Sequence, residues 1–137
     1  MESNGKSVKK DGYYLSNFPN IHESINFSVD TWVNINKPGD YNTKHHHPDC
    51  HLSGVLWVKA SEESGRIEFQ SPVGFQTYTE IKSYTEEFKN SNNYFQTYYF
   101  SPIEGRMLVF PSHLQHEVLV NKSNEDRISV SFNIRLK

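Results

Sequence analysis

The C-terminal segment constrains the fold most, because its hydrophobic side chains recur at every second position. Ile128, Val130, Phe132 and Ile134 alternate with polar residues between positions 127 and 135. This period of two is typical of a β-strand with one apolar and one polar face, and it is incompatible with an amphipathic helix. We therefore expect the chain to build its fold from strands.

Shorter strand candidates precede this segment, and turn sequences rich in Gly, Pro, Asn and Asp separate them. They cover residues 31–36, 54–60, 66–70, 94–100, 106–110 and 117–121. Short strands at regular spacing predict a mainly β sandwich or barrel with little helix. The one predicted helix runs from Thr79 to Lys89, where Ile81, Tyr84 and Phe88 share a face.

The length of 137 residues predicts a single domain. Residues 1–12 are polar and are predicted to be a flexible N-terminal segment, which leaves residues 13–137 as the domain. Only 35% of the residues are hydrophobic, but 14% are aromatic and bury a large area each, so a modest core is predicted. Self-association is one way in which such a domain could cover a second apolar face.

Charge and composition exclude several classes of protein. The net charge of -2 does not favour a nucleic-acid partner. The longest apolar runs are a few residues, so no membrane-spanning helix is expected. Cys50 is the only cysteine and cannot form an internal disulfide, and the first residues lack a secretory signal. The chain is therefore predicted to be cytoplasmic.

Histidines form the most informative cluster of the sequence. Three of the seven are consecutive, at positions 45–47. In a strand, His45 and His47 would project on one face and offer two imidazoles to a first-row metal, while His46 points away. A third ligand must come from a distant strand, and His116 at the start of a strand candidate is the strongest choice. Spacing alone leaves a plain polar loop open as the alternative.

Arg127 begins the C-terminal strand on the same face as Ser129, Ser131 and Asn133. If that polar face lines the interior of a barrel, the guanidinium is placed to hold a carboxylate with two hydrogen bonds. Surface exposure at the edge of a sheet is the alternative reading. A buried guanidinium would need an anionic partner, which a bound ligand can supply.

Taken together, these segments resemble the Fe(II)- and 2-oxoglutarate-dependent oxygenases, and most of all a group from bacteria and phages. The C-terminal part is also similar to aspartyl/asparaginyl β-hydroxylases and, more distantly, to prolyl hydroxylases. The resemblance covers residues 30 to 135 and rests on residues 32–34, 38–40, 45–48, 52–55, 104–111, 116–118 and 127–133.

The resemblance implies a double-stranded β-helix, that is, a cupin-like jelly roll with Fe(II) at one open end. By position in the motif, His45, His47 and His116 would hold the metal. Arg127 would bind the distal carboxylate of 2-oxoglutarate, and Ser129 would add a hydrogen bond to it. Asn34 is a further cofactor-binding candidate, and Trp57 and Asn133 are candidates for lining the site.

The sequence departs from the family pattern at the middle ligand, where the family has Asp and this chain has His47. Three neutral imidazoles leave the site one charge more positive than two imidazoles and a carboxylate. A shifted frame is also open, in which His47 and Asp49 bind the metal and His45 supports them. Family members usually carry more sequence before the core, so the chain resembles a minimal or trimmed version.

The implied activity is that of a dioxygenase that uses Fe(II) and 2-oxoglutarate to hydroxylate an unidentified small molecule or peptide. One alternative is a cupin-type metal-binding protein or metalloenzyme that does not use 2-oxoglutarate. Another is a jelly roll that binds a partner without catalysis. The first two share the three histidines, and only the first requires Arg127.

Overall fold

Eight strands form two four-stranded sheets in the computed structural model, which describes residues 26–74 and 84–137. They are β1 Phe27–Asn36, β2 Asn42–His45, β3 Leu52–Lys59, β4 Ile67–Gln70, β5 Thr97–Phe100, β6 Met107–Pro111, β7 His116–Val118 and β8 Arg127–Leu136. One sheet has the order β1-β8-β3-β6 and the other β2-β7-β4-β5. Consecutive strands alternate between the sheets except for β4 and β5, which pair as neighbours in the second sheet, and two facing antiparallel sheets of this kind form a jelly roll. The predicted fold class is confirmed.

Several strands differ from the sequence prediction, and β1 begins at Phe27 rather than at residue 31. β2 was not among the strand candidates, because its four residues, Asn42–His45, are all polar and carry no hydrophobic alternation. β5 begins at Thr97 rather than at residue 94. β7 ends at Val118 rather than at Asn121, whose side chain is buried and donates to the backbone carbonyls of Asn36 and Glu125.

The described helix α1 spans Glu86–Ser91, so it overlaps only the end of the predicted helix and extends beyond it. Thr85 caps its N-terminus by accepting a hydrogen bond from the Phe88 N–H at 3.2 Å. The predicted residues 79–83 lie outside the described residues. A single 3₁₀ turn, Glu62–Ser64, connects β3 to β4.

The hydrophobic core lies between the sheets and is small. Its buried members are Val55, Trp57, Ile67, Phe69 and Phe110. The rings of Phe69 and Phe110 pack edge to face, with centroids 4.7 Å apart. The remainder of the interior is polar and includes buried side chains of β8, which agrees with the low hydrophobic fraction of the sequence.

The outer face of the first sheet is apolar and partly exposed. Val33 and Ile35 of β1 and Met107 and Val109 of β6 each keep more than half of their surface accessible. These residues lie on the two edge strands of that sheet. Self-association through such a face stays a prediction.

Residues Val29–Arg135 form one compact unit. A second unit comprises Met1–Ser28 with Leu136–Lys137, of which only 26–28 and 136–137 belong to the described residues. There the Lys137 N–H donates to the Asn26 carbonyl oxygen at 2.8 Å. The predicted flexible segment 1–12 lies outside the described residues. No helix within 26–74 or 84–137 has the length and apolar character needed to cross a membrane.

Candidate metal centre

The pairing of β2 with β7 brings two histidines together from opposite halves of the chain. His45 and His116 are direct partners in the antiparallel register, and His116 is also paired with Phe69 of β4. Residues opposite each other in such a pair have Cβ atoms roughly 5 Å apart. The strand register alone therefore places His45 beside His116.

His45, His47 and His116 form a cluster whose potential ligand atoms all lie within 4.8 Å of one another. Ring centroids are 4.4 Å apart for His45 and His116, 5.1 Å for His45 and His47, and 5.2 Å for His47 and His116. The His45 Nδ1–H donates to the Thr43 carbonyl at 2.6 Å, and the His116 Nδ1–H to the Leu114 carbonyl at 2.8 Å. Both hydrogen bonds select the tautomer whose Nε2 lone pair is free for a metal.

His47 reaches the cluster by a route that the sequence analysis did not predict. β2 ends at His45, so His47 follows the strand and does not lie on it. Its backbone N–H donates to the Ser112 carbonyl at 3.0 Å, and this bond anchors the segment beyond the strand end. The two rings are nevertheless side by side, and His46 is exposed, as the spacing predicts.

Burial favours the neutral form of two histidines of the cluster. Desolvation by burial, opposed by the hydrogen bond to the Leu114 carbonyl and joined by smaller contributions from the neighbouring imidazoles, lowers the pKa of His116 to about 4. Burial also lowers the pKa of His47, with smaller contributions from His45 and His46. A neutral imidazole is the form that binds a metal, so near pH 7 His47 and His116 are in the ligating state.

Arg127 is buried, with 2% of its surface exposed, and it lines the same pocket as the three histidines. Its Nη1 donates to the carbonyls of Ser64 and Gly65 at 2.6 and 2.9 Å. No acidic side chain in residues 26–74 or 84–137 forms an ion pair with it. Burial lowers the pKa of the guanidinium, which reflects the cost of a charge without a counter-ion.

The turn that holds Arg127 was not recognised from the sequence as part of the site. Ser64 is almost fully buried, and its Oγ donates to the Ser61 carbonyl at 2.6 Å. Gly65 has φ +93, a conformation that favours glycine. A Cβ at this position would meet the Leu119 carbonyl oxygen and lie 2.9 Å from Arg127 Nη1. The sequence signal is the Glu62-Glu63-Ser64-Gly65 turn, but only the fold connects it to Arg127.

Replacing Gly65 with Ala is expected to destabilise the protein by more than the same change at Gly39. Both glycines have nearly the same φ, +93 and +92, so both variants carry backbone strain on the order of 1–3 kcal/mol. Only at position 65 does the added Cβ clash with the backbone, since nothing lies within 4 Å at Gly39. Urea unfolding of both variants measures the difference, and equal losses would contradict the steric role of Gly65.

The other candidate residues occupy different places. Asn34, Trp57 and Ser129 line the pocket, and Asn34 Nδ2 donates to Ser131 Oγ at 2.8 Å. Asn133 does not line the pocket, and instead its Oδ1 accepts a hydrogen bond from Ser53 Oγ at 2.7 Å. Asp49 is not in the histidine cluster; it has a positive φ of 59, and its carbonyl accepts from Arg135 Nε.

A family model described as "Putative 2OG-Fe(II) oxygenase" matches residues 30–133. The chain belongs to this family. It is therefore an oxygenase-family jelly roll, and the family implies Fe(II) and 2-oxoglutarate as cofactors. Among curated proteins, none matches the sequence.

Solved structures of a prolyl-4-hydroxylase and of a 2OG-Fe(II) oxygenase family protein share the fold. A Pseudomonas putida prolyl-4-hydroxylase is 16% identical with a TM-score of 0.57, and the match covers 96% of this chain and 63% of that one. A 2OG-Fe(II) oxygenase family oxidoreductase from Burkholderia pseudomallei is 14% identical with a TM-score of 0.61, over 95% of this chain and 55% of that one. The chain thus spans less than two thirds of the length of either protein.

Proposed function

We propose that the chain is a dioxygenase that uses Fe(II) and 2-oxoglutarate to hydroxylate a small-molecule or peptide substrate. The observation that carries the proposal is a buried arginine that has no acidic partner among the described residues and lines the same pocket as three clustered histidines. Metal binding alone requires only the histidines. A buried positive charge in the same pocket adds the requirement for an anionic ligand.

The donor set fits a first-row metal. Imidazole is a ligand that suits iron and other first-row metals, and the potential ligand atoms of the three histidines lie within 4.8 Å of one another. His45, His47 and His116 would be the ligands, and the backbone carbonyls that accept from Nδ1 of His45 and His116 would orient two of them. Asp49 is the less favourable ligand, because it is absent from the cluster.

The pocket also fits a dicarboxylate. Arg127 uses Nη1 for the carbonyls of the Ser64–Gly65 turn, so the fork formed by its other nitrogens can meet a carboxylate. Ser129 lies two residues further on the same face of β8 and can add a hydroxyl donor. The apolar walls at Val55 and Ile67 lower the local dielectric and strengthen this pairing.

In this mechanism the protein binds, orients and excludes water. Arg127 holds the distal carboxylate, which directs the 2-oxo acid end of the molecule toward the histidines. Trp32, whose ring centroid is 5.9 Å from that of His47, shields the metal side of the pocket. Bound Fe(II) supplies oxygen activation coupled to the oxidative decarboxylation of 2-oxoglutarate to succinate and CO₂, and the oxidising equivalent hydroxylates the substrate.

Calorimetric titration of 2-oxoglutarate into Fe(II)-loaded protein, without oxygen, tests the proposal. We expect one molecule bound per chain and no binding to metal-free protein, because the metal and Arg127 hold opposite ends of the ligand. On admission of oxygen, succinate should form only when both Fe(II) and 2-oxoglutarate are present. A folded, Fe(II)-loaded protein that does not bind 2-oxoglutarate would overturn the proposal.

A cupin-type metalloenzyme that does not use 2-oxoglutarate is the second candidate. The set of three imidazoles without a carboxylate favours it, since this differs from the ligand pattern that the family resemblance implies. It predicts stoichiometric metal but no 2-oxoglutarate binding, so the same titration separates the two candidates.

A further inference from the structure

Asn36 is a buried side chain whose hydrogen-bonding capacity is largely unused. It is 7% exposed and lines the pocket that contains Arg127 and the histidines. Its Nδ2 donates to Asn42 Oδ1 at 3.2 Å. Its Oδ1 is the one buried side-chain oxygen or nitrogen in residues 26–74 and 84–137 that has no hydrogen-bond partner. A buried amide in this state costs free energy, so its retention calls for an explanation.

Asn36 lies at the arginine end of the pocket. The backbone carbonyl of Asn36 accepts a hydrogen bond from Asn121 Nδ2 at 3.0 Å. Lys122, which follows Asn121, donates its backbone N–H to the Glu63 carbonyl at 2.9 Å. Glu63 belongs to the turn whose Ser64 carbonyl accepts from Arg127. These bonds tie the end of β1 to the turn that positions the guanidinium.

The metal end of the pocket lies further back along β1, near the middle of the strand. Trp32 is the β1 residue that packs near His47. Four residues of extended strand separate Trp32 from Asn36, which corresponds to about 13 Å. Asn36 is therefore positioned for the part of a ligand that Arg127 holds, and not for the part that the metal holds.

The amide pair can supply donors to an anion. Rotation of both terminal amide groups exchanges the roles of Asn36 and Asn42 and keeps one hydrogen bond between them. Asn36 Oδ1 then accepts from Asn42 Nδ2, so the buried acceptor is satisfied. The N–H groups of Asn36 become available for a negatively charged oxygen, where a hydrogen bond is stronger than one between neutral groups.

We infer that Asn36 donates a hydrogen bond to the distal carboxylate of the 2-oxo acid, beside Arg127, and so helps to select a dicarboxylate over shorter 2-oxo acids. This inference rests on the proposed function. In this inference Asn36 contacts the cosubstrate, whereas Asn42 only holds the Asn36 amide in place.

The test compares Asn36→Ala with Asn42→Ala by calorimetric titration of 2-oxoglutarate into protein loaded with Mn²⁺, which avoids turnover. Both changes delete the hydrogen bond between the two amides, but only the first removes the donor to the ligand. We expect Asn36→Ala to weaken binding at least tenfold and Asn42→Ala less than threefold, with Mn²⁺ affinity unchanged in both. Asn36→Asp, which keeps the shape and adds a negative charge, is expected to weaken binding more than Asn36→Ala.

A second probe identifies the carboxylate. 2-Oxobutanoate lacks the distal carboxylate, so its dissociation constant should be the same for wild type and Asn36→Ala. Equal 2-oxoglutarate affinity in wild type, Asn36→Ala and Asn36→Asp would overturn this inference and leave the proposed function in place. Equal losses in Asn36→Ala and Asn42→Ala would also overturn it, since the pair would then be structural. Failure of the wild type to bind 2-oxoglutarate would overturn both.

Discussion

Replacing Arg127 with Met is expected to weaken 2-oxoglutarate binding about a hundredfold or more while one metal ion still binds per chain. The proposed partner carboxylate would lie in a pocket that offers no other cation among the described lining residues. Leaving one charge of a buried, hydrogen-bonded pair without its partner costs roughly 2–5 kcal/mol, which corresponds to this loss of affinity. Calorimetry on Fe(II)-loaded protein without oxygen measures the dissociation constant, and elemental analysis measures the metal.

Two further variants separate charge from geometry at this position. Arg127→Lys keeps the positive charge but loses the planar fork, so its affinity should lie between those of wild type and Arg127→Met. Arg106→Met makes the same chemical change at an exposed position, and it should leave binding unaltered. If Arg127→Met retains full 2-oxoglutarate affinity and is folded by circular dichroism, the carboxylate is held elsewhere. Full catalytic activity in that variant would favour the cupin-type alternative.

The part of this fold that could be predicted from the sequence is the part encoded locally. The alternation from Ile128 to Ile134 indicated a strand, and β8 covers that segment in the structure. The spacing of His45 and His47 indicated neighbouring rings, and their centroids are 5.1 Å apart. Both inferences depend only on how side chains alternate along an extended backbone.

The remainder of the site depends on contacts between distant segments. β2 carries no hydrophobic alternation, so its strand state depends on pairing with β7. Gly65 is 62 positions from Arg127, and no local pattern shows that its carbonyl will accept from the guanidinium. The role of Asn36 could not be predicted from a local pattern either, because a buried oxygen without a hydrogen-bond partner can be recognised only when all of its neighbours are known. Sequence reasoning therefore identified candidate ligands but not the residues that position them.

The second large expected effect concerns the histidine triplet, residues 45–47, whose middle member His46 serves as an internal control. Replacing His45 or His47 with Ala is expected to weaken metal binding by at least about a hundredfold. Loss of a group that only supports a ligand costs less, roughly ten- to a hundredfold in metal affinity. His46→Ala should bind metal as the wild type does, because that side chain is exposed and is not in the cluster. Titration with Fe(II) or Mn²⁺ gives the three affinities.

Asp49→Ala decides between the two ligand frames that the sequence left open. If His45 is a ligand, Asp49→Ala keeps full metal affinity, since Asp49 is outside the cluster. Its hydrogen bond with Arg135 is made by the backbone carbonyl, which the substitution retains. If Asp49 is the ligand instead, Asp49→Ala no longer binds the metal, whereas His45→Ala loses only a residue that supports the ligands and keeps most of its metal affinity. The variant with the higher metal affinity is therefore Asp49→Ala in the first frame and His45→Ala in the second. His113→Ala, in the turn before the third ligand His116, should leave the affinity unchanged in either frame and controls for damage to that turn.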